Sequence, residues 1–124
     1  MKAIQVVDPG KASSLEVAEV SAPEDVAGAV RIRVAAAGVN RADLMQRRGF
    51  YPPPPGASEI LGLECAGIVE AVAPDVSDWA PGDRVMALLA GGGYAEQVVA
   101  DAGSLLREPD AMSLEAAAGV PEVF

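Results

Sequence analysis

The sequence contains no histidine and a single cysteine, Cys65. Without histidine, imidazole acid–base work is impossible within this segment. Without a second cysteine no internal disulfide can form, which fits a reducing cytoplasm, the expected location. The same shortages remove the usual zinc donors. Neither a Cys-rich structural site nor a His/Cys catalytic site can be assembled, so no metal is expected. Basic residues are also scarce: 9 Lys and Arg stand against 18 Asp and Glu, for a formal net charge of −9. Such a surface repels phosphate, so neither nucleic acid nor an anionic membrane is expected as a partner. No apolar run approaches membrane-spanning length. Met1-Lys2-Ala3 leads straight into alternating residues, so no secretory leader is expected.

What is present is a globular composition. The chain has 124 residues, 51% hydrophobic and 22% charged, enough for one domain with a core. Residues 1–7 mix β-branched and polar residues as a short strand does, and Asp8-Pro9-Gly10 is a turn signal. The stretches 15–20 and 30–34 alternate with period two, the mark of half-buried strands, the second with Arg31 and Arg33 outward. Three strands with short connections predict antiparallel β structure. Asn40 is placed as a helix N-cap. It precedes a short helix over 42–48, with Leu44 and Met45 as its apolar contacts and Gly49 as its stop. Four prolines, Pro52 to Pro55, predict a stiff extended segment after Tyr51. Further strands are predicted at 67–72, 84–89 and 94–100. Gly91-Gly92-Gly93 is read as a flexible link between the last two. Ser113 can cap a last short helix over 114–119. Many short strands with Gly/Pro turns suggest a mainly β, barrel-like fold with short helices.

One stretch carries more than fold. From Ala37 to Gly67 the sequence runs AGVNRADLMQRRGFYPPPPGASEILGLECAG. It joins an Asn and an Asp at i,i+3, a Tyr beside four prolines, and a G-x-E-x-x-G run at Gly62, Glu64 and Gly67. This stretch resembles the catalytic-domain signature of the medium-chain dehydrogenase/reductase superfamily. The nearest resemblance is to its zinc-free NADPH-dependent quinone oxidoreductases. The part NRADLMQRRGFYPPPPGAS is especially similar to the p53-inducible quinone oxidoreductase group.

The resemblance implies a GroES-like, partly open β barrel over residues 1–124, the substrate domain of a larger enzyme. The Rossmann domain is then expected outside this chain, which ends where such enzymes cross between domains. Gly91-Gly92-Gly93 does not continue to a G-x-G-x-x-G fingerprint, because Glu96 occupies the last glycine's place. Zinc-dependent relatives place a Cys where this chain has Asn40 and a His where it has Leu63. The resemblance therefore also implies a zinc-free cleft.

Each candidate residue has a plain reading beside its functional one. Spacing alone makes Asn40 a helix N-cap, while the resemblance puts it on the cleft near the nicotinamide ribose. One side chain can do both. Arg41 is a solvated arginine by default and a cofactor-phosphate contact by resemblance. Asp43 is expected to position Asn40 or the helix. Tyr51 is the main catalytic candidate, since its phenol can donate to a quinone oxygen as charge develops there. The plain alternative is a tyrosine packed on prolines. Phe50 and Leu63 are expected to wall an apolar substrate pocket with Tyr51. Glu64 is expected to be buried and therefore to need partners. Cys65 reads as a small buried hydrophobe, and Tyr94 as core.

By resemblance the intact protein passes reducing equivalents from NADPH to a small-molecule quinone and forms a homodimer. This segment alone is expected to be inactive. Two other readings stand beside it. One is a zinc-free enoyl or alkenal reductase of the same superfamily. The other is a non-catalytic β-barrel module that binds through its proline-rich loop.

Overall fold

A computed structural model describes residues 1–8, 15–50 and 52–123. Within them seven strands and two short helices form β1 (Lys2–Val6), β2 (Leu15–Glu19), β3 (Ala29–Ala37), α1 (Arg41–Arg47), β4 (Glu64–Val72), β5 (Arg84–Leu88), β6 (Gln97–Asp101), β7 (Leu105–Arg107) and α2 (Leu114–Ala117). The architecture is mainly β with open sheets, as the turn-rich sequence predicts. No βαβ unit occurs among the described residues, and no helix there is long and apolar enough to cross a membrane.

The main sheet is antiparallel, in the order β6-β3-β4-β5-β7. Its register brings Val30 opposite both Val72 and Ala100, and Ile32 opposite Val69 and Val98. Alternation then sorts the side chains. Val30, Ile32, Cys65, Val69, Val85, Ala87, Val98 and Leu105 form the larger core on one face. Each fully buried aliphatic there contributes about 1.5–3 kcal/mol. On the other face Ala66 and Met86 meet Leu114, Ala117 and Ala118 of the α2 region. As expected, Arg33 is exposed; Arg31 is half-buried and pairs with Asp25 at 2.9 Å and Glu70 at 3.3 Å.

Several expectations change. The first three strands are antiparallel as expected but divide between two sheets: β1 pairs with β2, whereas β3 pairs with β4 and β6. The β1–β2 hairpin joins the rest through an Ala3–Ala95 bridge and the Ile4 N–H to Tyr94 carbonyl bond of 2.8 Å. Set outside the main sheet, β2 is not half-buried: Leu15 is 39% and Val17 69% exposed. The helix turns a carboxylate inward, and of its two expected apolar contacts Met45 is half-buried while Leu44 is exposed. Leu44 is 43% exposed, whereas Asp43 is 2% exposed. Gly49 does end α1, its N–H reaching the Gln46 carbonyl at 3.0 Å. The proline stretch is not extended throughout, because it turns at Pro55-Gly56 and Ala57 N–H bonds the Pro54 carbonyl at 3.0 Å.

The triglycine is pinned rather than flexible. Gly92, Gly93 and Tyr94 donate their N–H groups to the carbonyls of Ile60, Gly62 and Leu61 at 2.8, 3.1 and 2.9 Å. The last of the main-sheet strands, β7, lies where the sequence carries no alternation long enough to mark it. Ser113 does cap α2, its hydroxyl accepting the Ala116 N–H at 3.1 Å.

Candidate functional site

The signature stretch builds a wall around two buried carboxylates. Asn40 stands at the N-cap of α1 in extended conformation. Asp43, three residues on, returns its Oδ2 to the Asn40 N–H at 2.9 Å. That oxygen also accepts the Tyr94 hydroxyl at 2.7 Å, and Oδ1 accepts the Gly62 N–H at 3.3 Å. Asp43 thus ties the start of the helix to the two segments that meet beneath it. The expected positioning role for Asp43 follows from these bonds.

Those segments approach so closely that glycine is required. Gly62 has φ +112°, a backbone region that disfavours side chains. A Cβ there would sit 2.6 Å from Gly93 Cα.

The second carboxylate belongs to Glu64 at the start of β4. It is 2% exposed. Its Oε1 accepts from the Asn40 side-chain amide, Nδ2, at 3.1 Å, and its Oε2 accepts the Glu122 N–H at 2.8 Å. Room for this carboxylate exists because residue 38 is glycine: a Cβ on Gly38 would overlap Glu64 Oε1. Among the described residues, the five donors that meet the two acids are all neutral groups. The buried carboxyl oxygens are satisfied there by hydrogen bonds.

The surroundings respond to these charges. Burial, then the hydrogen bond to Asp43, then the charges of Asp43 and Glu64 push the Tyr94 phenol well above its ordinary range. Tyr94 is thus half-buried and hydrogen-bonded instead of a plain core residue. Burial, and secondarily the Glu64 charge, pushes the Cys65 thiol up to about 12. Cys65 faces the larger core, in accord with its reading as a small hydrophobe.

The remaining candidates lie along the same segment. Arg41 is exposed at the first position of α1, beside Asn40. Phe50 lies past the other end of the helix and is 72% exposed. Leu63 is half-buried next to Glu64, and its carbonyl accepts the Leu89 N–H at 2.8 Å. Tyr51 lies outside the described residues. A concavity of about 360 Å³ opens beside the proline segment, between Gln46, Gly49, Pro52, Pro53 and Ile60. A separate hollow of about 400 Å³ lies toward β6, against Ser58, Leu89, Gly92 and Val98. Neither is lined by Asn40, Arg41 or Leu63. Sequence reasoning did not find the Tyr94–Asp43 pair or the Glu122–Glu64 contact. Only the reading of Asp43 as a positioning residue touched the first.

Residues 26–110 match the family model of the alcohol dehydrogenase GroES-like domain. The chain belongs to this family. It is a GroES-like domain of the medium-chain dehydrogenase/reductase superfamily, and its solved neighbours include several oxidoreductases. The quinone oxidoreductase of Pseudomonas syringae pv. tomato superposes with a TM-score of 0.81 at 35% identity, over 94% of this chain and 36% of that one. The CurK enoyl reductase gives 0.86 at 28% identity, over 98% and 39%. Mycobacterial Rv1454c, solved in complex with NADPH, gives 0.84 at 34% identity, over 97% and 38%. The pikromycin polyketide synthase component PikAII of Streptomyces venezuelae is 43% identical over 126 residues, 95% of this chain and 3% of that protein. This GroES-like domain thus spans less than half of each of these chains.

Proposed function

We propose that the intact protein is a reductase that moves a hydride from NADPH to a quinone, with this domain as the wall against which the acceptor lies. The observation that carries the reading is the Asn40 amide, fixed by Glu64 at the wall beside the exposed Arg41. The likeness to a quinone oxidoreductase and to an NADPH-bound neighbour supports the cofactor and the acceptor class.

Arg41 suits the phosphates of the cofactor, since a guanidinium offers paired donors to anionic oxygens. Asn40 suits its ribose, since an amide both donates and accepts. NADPH supplies the hydride, and the protein supplies orientation and hydrogen bonding. Tyr51, at the head of the proline segment, is proposed to donate to the acceptor oxygen as charge grows there. Phe50 and Leu63 are proposed to hold its flat ring.

The reading does not route through zinc. Cys65 turns into the core with its thiol proton held, and both buried acids already accept bonds from neutral donors. That donor set does not fit a catalytic zinc site. The Tyr94 phenol, bonded to Asp43 and held well above its ordinary range, is not offered as an acid. A quinone suits such a wall, because after hydride addition the second proton of the hydroquinone can come from water.

The second reading, enoyl reduction, draws on the likeness to CurK and PikAII. A conjugated thioester presents the same polarised system to a hydride. Steady-state assay of the intact protein with NADPH separates the two. Faster turnover of 1,2-naphthoquinone than of a 2-enoyl thioester supports the first reading. The reverse order transfers the assignment to the second, and no NADPH oxidation with either defeats both.

A further inference from the structure

Glu64 is bonded by two partners that lie far apart in sequence, one 24 residues before it and one 58 residues after it. Oε1 holds the side-chain amide of Asn40, and Oε2 holds the backbone N–H of Glu122, 58 residues later. The acid is sealed from solvent, so neither bond is readily replaced by water. The far partner is itself held in place by packing. Leu114, Ala117 and Ala118 of the α2 region, with Val120 beyond it, lie on Ala66 and Met86, the β4–β5 face that also carries Glu64. The 118–122 segment is thereby held beside Glu64 at the start of β4.

We propose that Glu64 is a positioning residue that couples the 120–123 segment to the orientation of Asn40, and through it to cofactor binding. This rests on the reading of Asn40 as a cofactor contact. A buried carboxylate oxygen that loses its donor must find another. If the Glu122 N–H withdraws, the other donor on Glu64 among the described residues is the Asn40 amide, which then turns to serve both oxygens. With Glu122 in place, Nδ2 faces Glu64 and Oδ1 is turned from it, a single fixed presentation. The two sites are linked by one side chain, so whatever displaces the 120–123 segment alters the wall. By linkage, cofactor binding at the wall steadies that segment in turn.

The test uses Glu122→Pro, which deletes the backbone N–H of a solvent-exposed residue and leaves the wall's side chains untouched. Glu122→Ala is its control, because it keeps the N–H. In NMR spectra of the 124-residue chain, the Asn40 side-chain amide signals should shift in Glu122→Pro and in Glu64→Gln, and stay in place in Glu122→Ala. Unshifted Asn40 signals in a folded Glu122→Pro chain overturn the coupling. In the intact protein, Glu122→Pro should raise KM for NADPH about fivefold or more with kcat changed far less. In an Asn40→Ala background the same change should have no further effect. Full additivity of the two substitutions also overturns the proposal. If the intact protein oxidises no NADPH, the reductase reading fails, and the NMR comparison still decides the coupling.

Discussion

The Tyr94 hydroxyl donates to Asp43 Oδ2 at 2.7 Å, joining the first turn of α1 to the segment that leads into β6 across 51 residues of sequence. The bond is one of three that converge on a carboxylate 2% exposed. It explains why a helix of seven residues, too short to be stable alone, holds its place. Tyr94→Phe should lower the unfolding free energy by about 1.5–3 kcal/mol, the worth of a hydrogen bond to a charged group. Asp43→Ala strands three donors at about 1–3 kcal/mol for each that stays buried, and so should cost more than Tyr94→Phe. Urea unfolding of the two variants checks the order. An Asp43→Ala loss no larger than that of Tyr94→Phe would show that Asp43 is not the hub.

Gly62→Ala should be among the most damaging single-methyl additions. The new Cβ meets the Gly93 backbone at 2.6 Å and adopts a φ of +112°. Strain and overpacking together predict a loss of about 3 kcal/mol or more. Gly56→Ala is the matched control, with φ +83° and nothing within 4 Å of the added atom. It should cost about 1 kcal/mol, the conformational share alone. Thermal melts that rank the two equally would contradict the close approach.

Cys65 predicts the alkaline behaviour. Its thiol is pushed from 9.0 to about 12 in the folded chain. The folded state therefore favours the protonated form. This contribution is complete below pH 9 and is lost as pH rises toward 12, by about 1.4 kcal/mol per unit between the two values. Cys65→Ala should flatten that part of the stability–pH curve. The native thiol should resist an aromatic disulfide reagent at pH 8 and react at once in denaturant. Fast reaction in the native state would refute its burial.

Arg41→Ala tests the cofactor contact. A lost charge-assisted bond to phosphate is worth about 1.5–3 kcal/mol, so KM for NADPH in the intact protein should rise about tenfold or more. The unfolding midpoint should stay put, because the side chain is exposed. An unchanged KM would return Arg41 to its plain reading as a solvated residue.

The β3 strand of the main sheet was legible because its alternation is local. Val30 and Ile32 are buried as their spacing requires, and Arg33 faces out. The caps at Asn40 and Ser113 were legible for the same reason, since a cap and its helix are neighbours in sequence. The family was legible from one stretch, and the match to the GroES-like domain spans it. What stayed hidden depends on distant partners. Leu15 and Val17 alternate like a buried strand, but no sequence signal says that β2 lies outside the main sheet. The triglycine looks flexible until residues 60–62 supply its hydrogen-bond acceptors. Asp43 looks like a dipole-favoured first-turn acid until Tyr94 and Gly62 arrive from elsewhere in the chain. The Glu122 N–H is a backbone group, so no side-chain pattern announces its bond to Glu64.

The central claim is that the Asn40 wall serves hydride transfer from NADPH without a metal. It is tested most directly by stopped-flow loss of NADPH absorbance when the loaded intact protein meets 1,2-naphthoquinone in the presence of a chelator. The account predicts a burst in the wild type that the chelator does not touch. It predicts a rate about tenfold or more slower in Asn40→Ala, measured under conditions where that variant is folded. An Asn40→Ala rate equal to wild type, or a burst abolished by the chelator, would contradict it.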